Sequence, residues 1–333
     1  MTERTLSIVI PYYNDREPII RCLKSIKVAA DILEIENGNP APDIVVVDDH
    51  SPVPFDPSSA PVPVTLCRLP LNRGVGAARN TGASLCNGSH ILFIDSDVIL
   101  ERHHLIRLYR LLETGESKIV QGPTSVVPAN PEASLFQHYL AAAWNYYELG
   151  NWRISVFTQC FLIEKRFFME LGGFAECYER SGGEEFELGL RLNALEQGII
   201  LFDECLVHYH HFDHLVKRMK KVYLRSRHIG AIAMGMPNLP FRFTAQALMR
   251  SAFAWVLNGF LLLCLVKPLY GINGYLLAAA LFYFSDHGFS KTMIQAHSLK
   301  LAWLSVVFRQ LEFTFINLGM VRGLFQRKSK EKP

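Results

Sequence analysis

The sequence has almost no excess of charge of either sign. Its 34 Lys and Arg residues stand against 31 Asp and Glu, a formal net charge of +3. That is too little to mark a nucleic-acid binder by itself. There is no CxxC pair: Cys22, Cys67, Cys86, Cys160, Cys177, Cys205 and Cys264 are scattered. This spacing argues against a zinc site and fits reduced thiols in a cytosolic compartment. No internal repeat is present. The opening MTERTLSIVIP holds too short an apolar run, closed by a proline, for a signal peptide, so the protein is expected to start in the cytoplasm. Half of the residues are hydrophobic and a fifth are charged, which excludes a disordered chain.

What is present is an alternation of apolar runs and helical patterns. LSIVIPYYND (Leu6 to Asp15) reads as a buried strand, and Ile19, Ile20, Leu23 and Ile26 after it have helical spacing. DIVVVDDHS (Asp43 to Ser51) reads as a second strand and VTLCRL as a third. A glycine-rich turn, NRGVGAARNTG, runs into a helix, and HILFIDSDV is a fourth strand. SLFQHYLAAAWNYYELGNW reads as a helix near an acceptor pocket. Strands alternating with helices predict an α/β fold, a mostly parallel sheet with helices on both faces. Ligands bind such sheets at the carboxyl ends of the strands. Three strands end there in polar clusters: Tyr12-Tyr13-Asn14-Asp15, Asp48-Asp49-His50 and Asp95-Ser96-Asp97. Two carboxylates one residue apart at a buried strand end are costly unless something compensates them.

Five motifs, in order, carry a resemblance: SIVIPYYND, VVVDDHS, NRGVGAARNTG, FIDSDV and GGFAECYERSGGEEFELGLRL. Over residues 5 to 235 the chain resembles the family 2 glycosyltransferases, which have the Rossmann-like GT-A fold. That family moves a sugar from a nucleotide diphosphate to an acceptor, usually with inversion and a divalent metal. The glycine-rich stretch also imitates a dinucleotide fingerprint, but that fingerprint should follow the first strand, which here ends in PYYND.

The resemblance implies roles. A hard divalent cation, Mn2+ or Mg2+, neutralises the leaving diphosphate and prefers oxygen ligands. Asp97 matches the metal carboxylate of the DxD motif, and Asp95 contacts the ribose or a metal-bound water. Asp48 and Asp49 match the base-recognition pair, with Pro11, Tyr12 and Tyr13 lining the base pocket and Arg79 near the base and diphosphate. Glu185 matches the catalytic base, although the common family form is Glu-Asp and this chain has Glu184-Glu185; Glu184 holds the acceptor. In LVHYHH, His208 and then His210 reach the metal or diphosphate. UDP is the first expectation for the nucleotide. The processive branch's QxxRW signature is absent, so transfer of a single sugar is expected over polymerisation.

Beyond about Pro240 the composition changes. Between Ser251 and Ser285 the only charge is Lys267. The two uncharged runs there are slightly short for perpendicular spans. They allow a hairpin dipping into the bilayer, two tilted spans or an oligomer interface. Leu215, Met219 and Val222 share one face of a basic helix that either lies on anionic lipid or is simply solvated. The expected organisation is a transferase domain at 1–235 and a membrane-associated helical region at 236–333, held at the cytoplasmic face of the membrane. The expected role is hydroxyl glycosylation of a lipid-linked or membrane-borne glycan in cell-envelope polysaccharide synthesis. The alternatives are a polyprenyl-phosphate glycosyl synthase, whose anionic acceptor needs no base, and a non-catalytic sugar-nucleotide binder.

Overall fold

The computed structural model describes residues 5–114, 119–121, 124–128, 132–147, 156, 158–177, 183–195, 200–201, 206–210, 214–235, 245–296 and 299–325. The chain divides into two compact units, Met1–Val127 with Asn151–His210, and Pro128–Gly150 with His211–Pro333.

In chain order the elements are β1 (Leu6–Tyr12), α1 (Arg16–Asn37), β2 (Asp43–Asp48), β3 (Thr65–Arg68), α2 (Val75–Leu85), β4 (His90–Ile94), β5 (Val98–Ile99), α3 (His104–Thr114), β6 (Ile119–Gln121) and β7 (Thr124–Pro128). They continue with α4 (Leu135–Tyr147), β8 (Cys160–Glu164), α5 (Lys165–Glu170), α6 (Glu184–Ala194), β9 (Ile200–Leu201), β10 (Leu206–His210), α7 (Leu215–Gly235), α8 (Ala245–Cys264), α9 (Pro268–Ser285), α10 (His287–Ala296) and α11 (Leu299–Leu324).

The first unit holds a seven-stranded sheet in the order β3-β2-β1-β4-β8-β6-β9. β1 pairs in parallel with both β2 and β4, while β8 runs antiparallel to β4 and β6. The sheet is therefore mixed around a parallel centre, consistent with the expected α/β class. Every residue of β1 is buried, because both faces are covered. Leu6, Ile8 and Ile10 join Leu23 and Ile26 of α1 and Leu105 of α3 in one core layer. Val9, Val45 and Phe93 join Ala78 of α2, Phe168 of α5 and Leu188 of α6 in the other. Alternation along a strand sends successive side chains to opposite layers. α2 lies directly on the sheet: a Cβ at Gly82 would fall 2.4 Å from Val9 Cγ1.

The chain leaves β1 toward β2 and β3, then crosses to β4 on the opposite side of β1. That reversal opens a crevice at the carboxyl ends of β1 and β4. The expected fourth strand ends at Ile94; Val98 and Ile99 belong to a separate three-stranded sheet, β5-β10-β7. Asp95 to Asp97 is thus a turn between two sheets, with the Val98 N–H donating to the Asp95 carbonyl at 3.1 Å.

The second unit is helical. The segments 135–147 and 215–235 belong to it together with α8 to α11. Of the basic-helix face read from the sequence, Met219 and Val222 of α7 are buried and Leu215 is exposed. Phe136 and Tyr139 of α4, Leu257 of α8, Phe282 of α9, Phe289 of α10 and Val306 of α11 share its core.

Candidate active site

The three polar strand ends read from the sequence all lie on the carboxyl side of the parallel strands, but they serve different tasks. Asp48 ends β2 and is fully buried. Its carboxylate accepts from Ser51 N–H (2.7 Å), Phe55 N–H (3.2 Å) and the Arg68 guanidinium (2.8 Å). Both oxygens are engaged in shaping the loop after β2. Asp49 accepts from the Arg73 and Gly74 N–H groups at 2.7 and 2.9 Å. These lie at the start of α2, where the helix dipole favours an anion. Burial pushes the Asp49 carboxyl up, against the two backbone bonds that hold it down. Gly74 has φ 88, a left-handed conformation suited to glycine.

Of the two tyrosines expected at the base pocket, Tyr12 is buried with its ring 5.3 Å from Phe55. Tyr13 is the exposed one, at 47%. Pro11 lies inside β1, opposite Val47.

Arg79, on α2, is the hinge of the arrangement. Its guanidinium donates to Asp95 Oδ1 at 2.7 Å and to Glu184 Oε1 at 3.1 Å. It lies 5.3 Å from the ring centroid of Phe174 and is 2% exposed. The sequence reading gave Arg79 a place near the donor; in the structure its charge is spent on two carboxylates. Three motifs far apart in sequence therefore converge: GAARN, FIDSD and the acidic pair.

Asp95 and Asp97 are partly exposed. Cys22 of α1 lies beneath them, its Sγ 3.8 Å from the Asp95 carbonyl. Burial, then Asp97 and Asp95, push that thiol up, so it stays protonated. Glu184 and Glu185 open α6 after Gly183. Glu184 is buried, and its Oε2 has no hydrogen-bond partner among the described residues. Burial first, and the neighbouring Glu185 charge second, push its carboxyl up to about 7; Arg79 opposes them. Glu185 is half-buried and accepts from Gly183 N–H at 2.9 Å. The two glutamates are thus unequal: the first is tied inward to Arg79, and the second is the more accessible carboxylate.

The loop carrying Phe174 is fixed from two sides. Asn80 of α2 accepts from Phe174 N–H and donates to its carbonyl, both at 2.8 Å. Arg191 of α6 donates to the Leu171 and Gly173 carbonyls at 2.6 Å and pairs with Glu187 at 2.7 Å. Arg68, Asn80 and Arg191 escaped the sequence reading, since a polar side chain that bridges two elements leaves no periodic trace.

β10 pairs antiparallel with β5, His208 opposite Val98. The backbone of His208 is thereby next to the turn that carries Asp97. The side chains of His208 and His210 lie outside the described residues, as does His211. Among the described residues, no group of three or more His, Cys, Asp or Glu side chains could hold a metal ion.

The Glycosyl transferase family 2 profile matches residues 7–162, and that of Glycosyl transferase family group 2 matches residues 90–289. Glycosyltransferase GlyA of Streptococcus pneumoniae is 23% identical over 229 residues, covering 63% of this chain and 31% of that protein. The poly(ribitol-phosphate) beta-glucosyltransferase of Bacillus spizizenii is 31% identical over 129 residues, covering 35% of this chain and 18% of its own length. The chain thus spans a third or less of these two relatives. Among solved structures, the mannosyltransferase PcManGT from Pyrobaculum calidifontis, in complex with GDP-Man and Mn2+, superposes with a TM-score of 0.55 at 16% identity. It covers 97% of this chain and 88% of that one, a likeness of fold.

Proposed function

Because the chain belongs to glycosyl transferase family 2, and is therefore a glycosyltransferase, we propose that it moves one sugar from a nucleotide diphosphate sugar to a hydroxyl of a membrane-borne glycan, with inversion. The observation that carries this reading is Arg79, whose guanidinium binds Asp95 and Glu184 at once. It ties the strand-end carboxylates to the helix that bears the candidate base.

The donor set fits a divalent cation that arrives with its substrate. Asp97 and Asp95 offer hard carboxylate oxygens, and Mg2+ or Mn2+ commonly binds through one or two carboxylates plus substrate phosphates. Fewer than three protein ligands is what that mode requires. When bound, the cation would offset charge on the departing diphosphate. Arg79 holds Asp95 in one orientation, and Glu184 keeps Arg79 in place. Asp49 fixes the start of α2, so the glycine-rich turn presents a constant backbone edge to the crevice. Tyr13 is the ring exposed for stacking on a base.

A hydroxyl is a poor nucleophile. Glu185 accepts its proton as the oxygen attacks the anomeric carbon from the face opposite the diphosphate. The carbon–oxygen bond to the diphosphate breaks in the same displacement, which inverts the anomeric centre. Glu184, already bound to Arg79, is unsuited to that task and acts as a positioning residue. The base at Glu185 favours a hydroxyl acceptor over a phosphate, which needs none.

The poly(ribitol-phosphate) relative supports an envelope polymer or its lipid-linked precursor as acceptor. α11 has the length and composition of a membrane span, but it carries the buried Arg309 and Glu312 at its middle. The exposed apolar residues of the C-terminal helices support membrane attachment through the C-terminal region, which we propose is at the cytoplasmic face. The test is a panel of UDP-, GDP- and dTDP-sugars incubated with Mn2+ and membrane lipid extract. One donor should release its nucleoside diphosphate and give a glycosylated product of opposite anomeric configuration. An acid-labile sugar–phosphate lipid would point instead to the phosphate acceptor, and turnover of none would reject the reading.

A further inference from the structure

The α8–α9 hairpin in the helical unit has a surface that the transfer chemistry does not use. Near its base the two helices are covered: Ala254, Leu257, Ala278, Ala279 and Phe282 are buried. α11 packs there through a polar network. Asn258 donates to Thr314 and accepts from Gln310, both at 2.8 Å, and Tyr275 donates to Gln310 at 2.7 Å. Past Asn258 and Tyr275 the two legs meet chiefly each other. The missing side chain of Gly274 leaves room for Phe260, and that of Gly271 leaves room for Cys264. A Cβ at Gly259 would meet nothing within 4 Å. No residue from 259 to 270 is buried; Leu262, Leu265, Val266, Leu269 and Tyr270 are 67 to 82% exposed. An exposed apolar surface of this extent marks an interaction site.

Length and charge identify the occupant. The free part of each leg is about eight residues, or about 12 Å of helix. The hydrocarbon of one leaflet is about 15 Å deep. Lys267, the only charge between 251 and 285, sits at the turn, 6.0 Å from the Tyr270 ring. From there its stem can carry the ammonium part of the way toward the headgroups. The remaining charge is one-sided. From residue 214 onward the only acids among the described residues are Asp286 and Glu312, both buried. Asp286 pairs with Arg250 and Arg309, and Glu312 with Arg218. Over the same span Lys217, Lys220, Lys221, Lys291, Lys300 and Arg322 are exposed. An apolar projection on a cationic body is complementary to an anionic bilayer.

α11 is a poor candidate for the contact despite its length. Arg309 and Glu312 lie at its middle, and α7 packs against it so closely that a Cβ at Gly323 would fall 2.1 Å from the Arg227 carbonyl. To cross a bilayer, α11 would take the cationic α7 with it.

We propose that the α8–α9 hairpin is a monotopic anchor that embeds its tip and outer face in one leaflet of an anionic bilayer without crossing it. This deepens the membrane attachment inferred above and rests on it.

The test uses the full chain with vesicles of phosphatidylcholine and phosphatidylglycerol, in a flotation assay. The wild type should float, and Leu262→Glu with Leu265→Glu should reduce the floating fraction at least tenfold. The variant should keep its melting temperature and its nucleotide binding, which separates anchoring from folding. A wild type that stays at the bottom would reject membrane attachment altogether. A variant that floats like the wild type would overturn the hairpin assignment and leave attachment standing. An impermeant thiol reagent trapped in the vesicle lumen should not modify Lys267→Cys; modification from the lumen would mean a span. A lipid-free wild type that is dimeric, with a monomeric Leu262→Glu/Leu265→Glu variant, would assign the surface to a second copy and overturn the anchor.

Discussion

Arg79 and Glu184 are 105 residues apart in sequence and meet as a buried ion pair at 3.1 Å, with the same guanidinium holding Asp95 at 2.7 Å. One buried guanidinium is shared by two carboxylates, Glu184 buried beside it and Asp95 partly exposed. Removing a single partner from a buried charge group is strongly destabilising because the others are left uncompensated.

Arg79→Met should therefore cost about 3–5 kcal/mol. Arg79→Lys should recover only part of it, since an ammonium has no fork to bridge both partners. Urea unfolding of the two variants beside wild type measures this. A loss near zero for the methionine variant would mean that the pair is peripheral.

The pH dependence of stability isolates Glu184. Its carboxyl is raised from 4.5 to about 7 in the folded protein, so the folded state holds a proton that the unfolded state releases. The stability it contributes is fully present below about pH 4.5 and is lost as the pH rises through about 7. Melting temperature should decline across that window, and Glu184→Gln should flatten the decline. An unchanged slope in the variant would show that another group titrates.

Glu185→Gln separates chemistry from binding. Loss of a general base lowers turnover by about 10²–10⁴-fold, while the affinity for the donor nucleotide should stay within about twofold of wild type. Steady-state kinetics and nucleotide titration give the two numbers. Loss of affinity with turnover preserved would move Glu185 to the binding machinery.

Asp48 shapes its loop through Ser51, Phe55 and Arg68. Asp48→Ala should cost about 3 kcal/mol, the scale of lost hydrogen bonds to a charged group. Asp48→Asn keeps one acceptor and should cost less. If both fold with wild-type stability but lose nucleotide binding, Asp48 is a base-recognition residue after all.

Much of the transferase unit could be read directly. The apolar runs of β1, β2 and β4 are buried strands because both faces of the sheet are covered, and that burial is what makes a run uniformly apolar. α6 starts at Glu184 with acidic residues in its first turn, where the helix dipole favours them. The allocation of charge could not be read. Nothing local to DDHS distinguishes Asp48, which binds Arg68, from Asp49, which caps α2; the distinction depends on β3, a strand that returns from 20 residues away. The two carboxylate partners of Arg79 lie in other motifs, so its ion pairs left no local trace. The break between Ile94 and Val98 was also hidden, since Val98 and Ile99 continue the apolar pattern while joining a different sheet. In the helical unit, the uncharged stretch from 251 to 285 was visible at once. Which part is covered and which part projects depends on α11, and no periodicity within the stretch reports that.

Calorimetric titration of UDP and GDP into the protein with Mn2+, with a chelator in place of Mn2+, and into Asp97→Asn with Mn2+ tests the metal-dependent donor site most directly. One of the two nucleotides should bind wild type only when the metal is present, and the Asp97→Asn variant should lose about tenfold or more in affinity, the contribution of one charged metal ligand. Binding that ignores both the chelator and the substitution would contradict it.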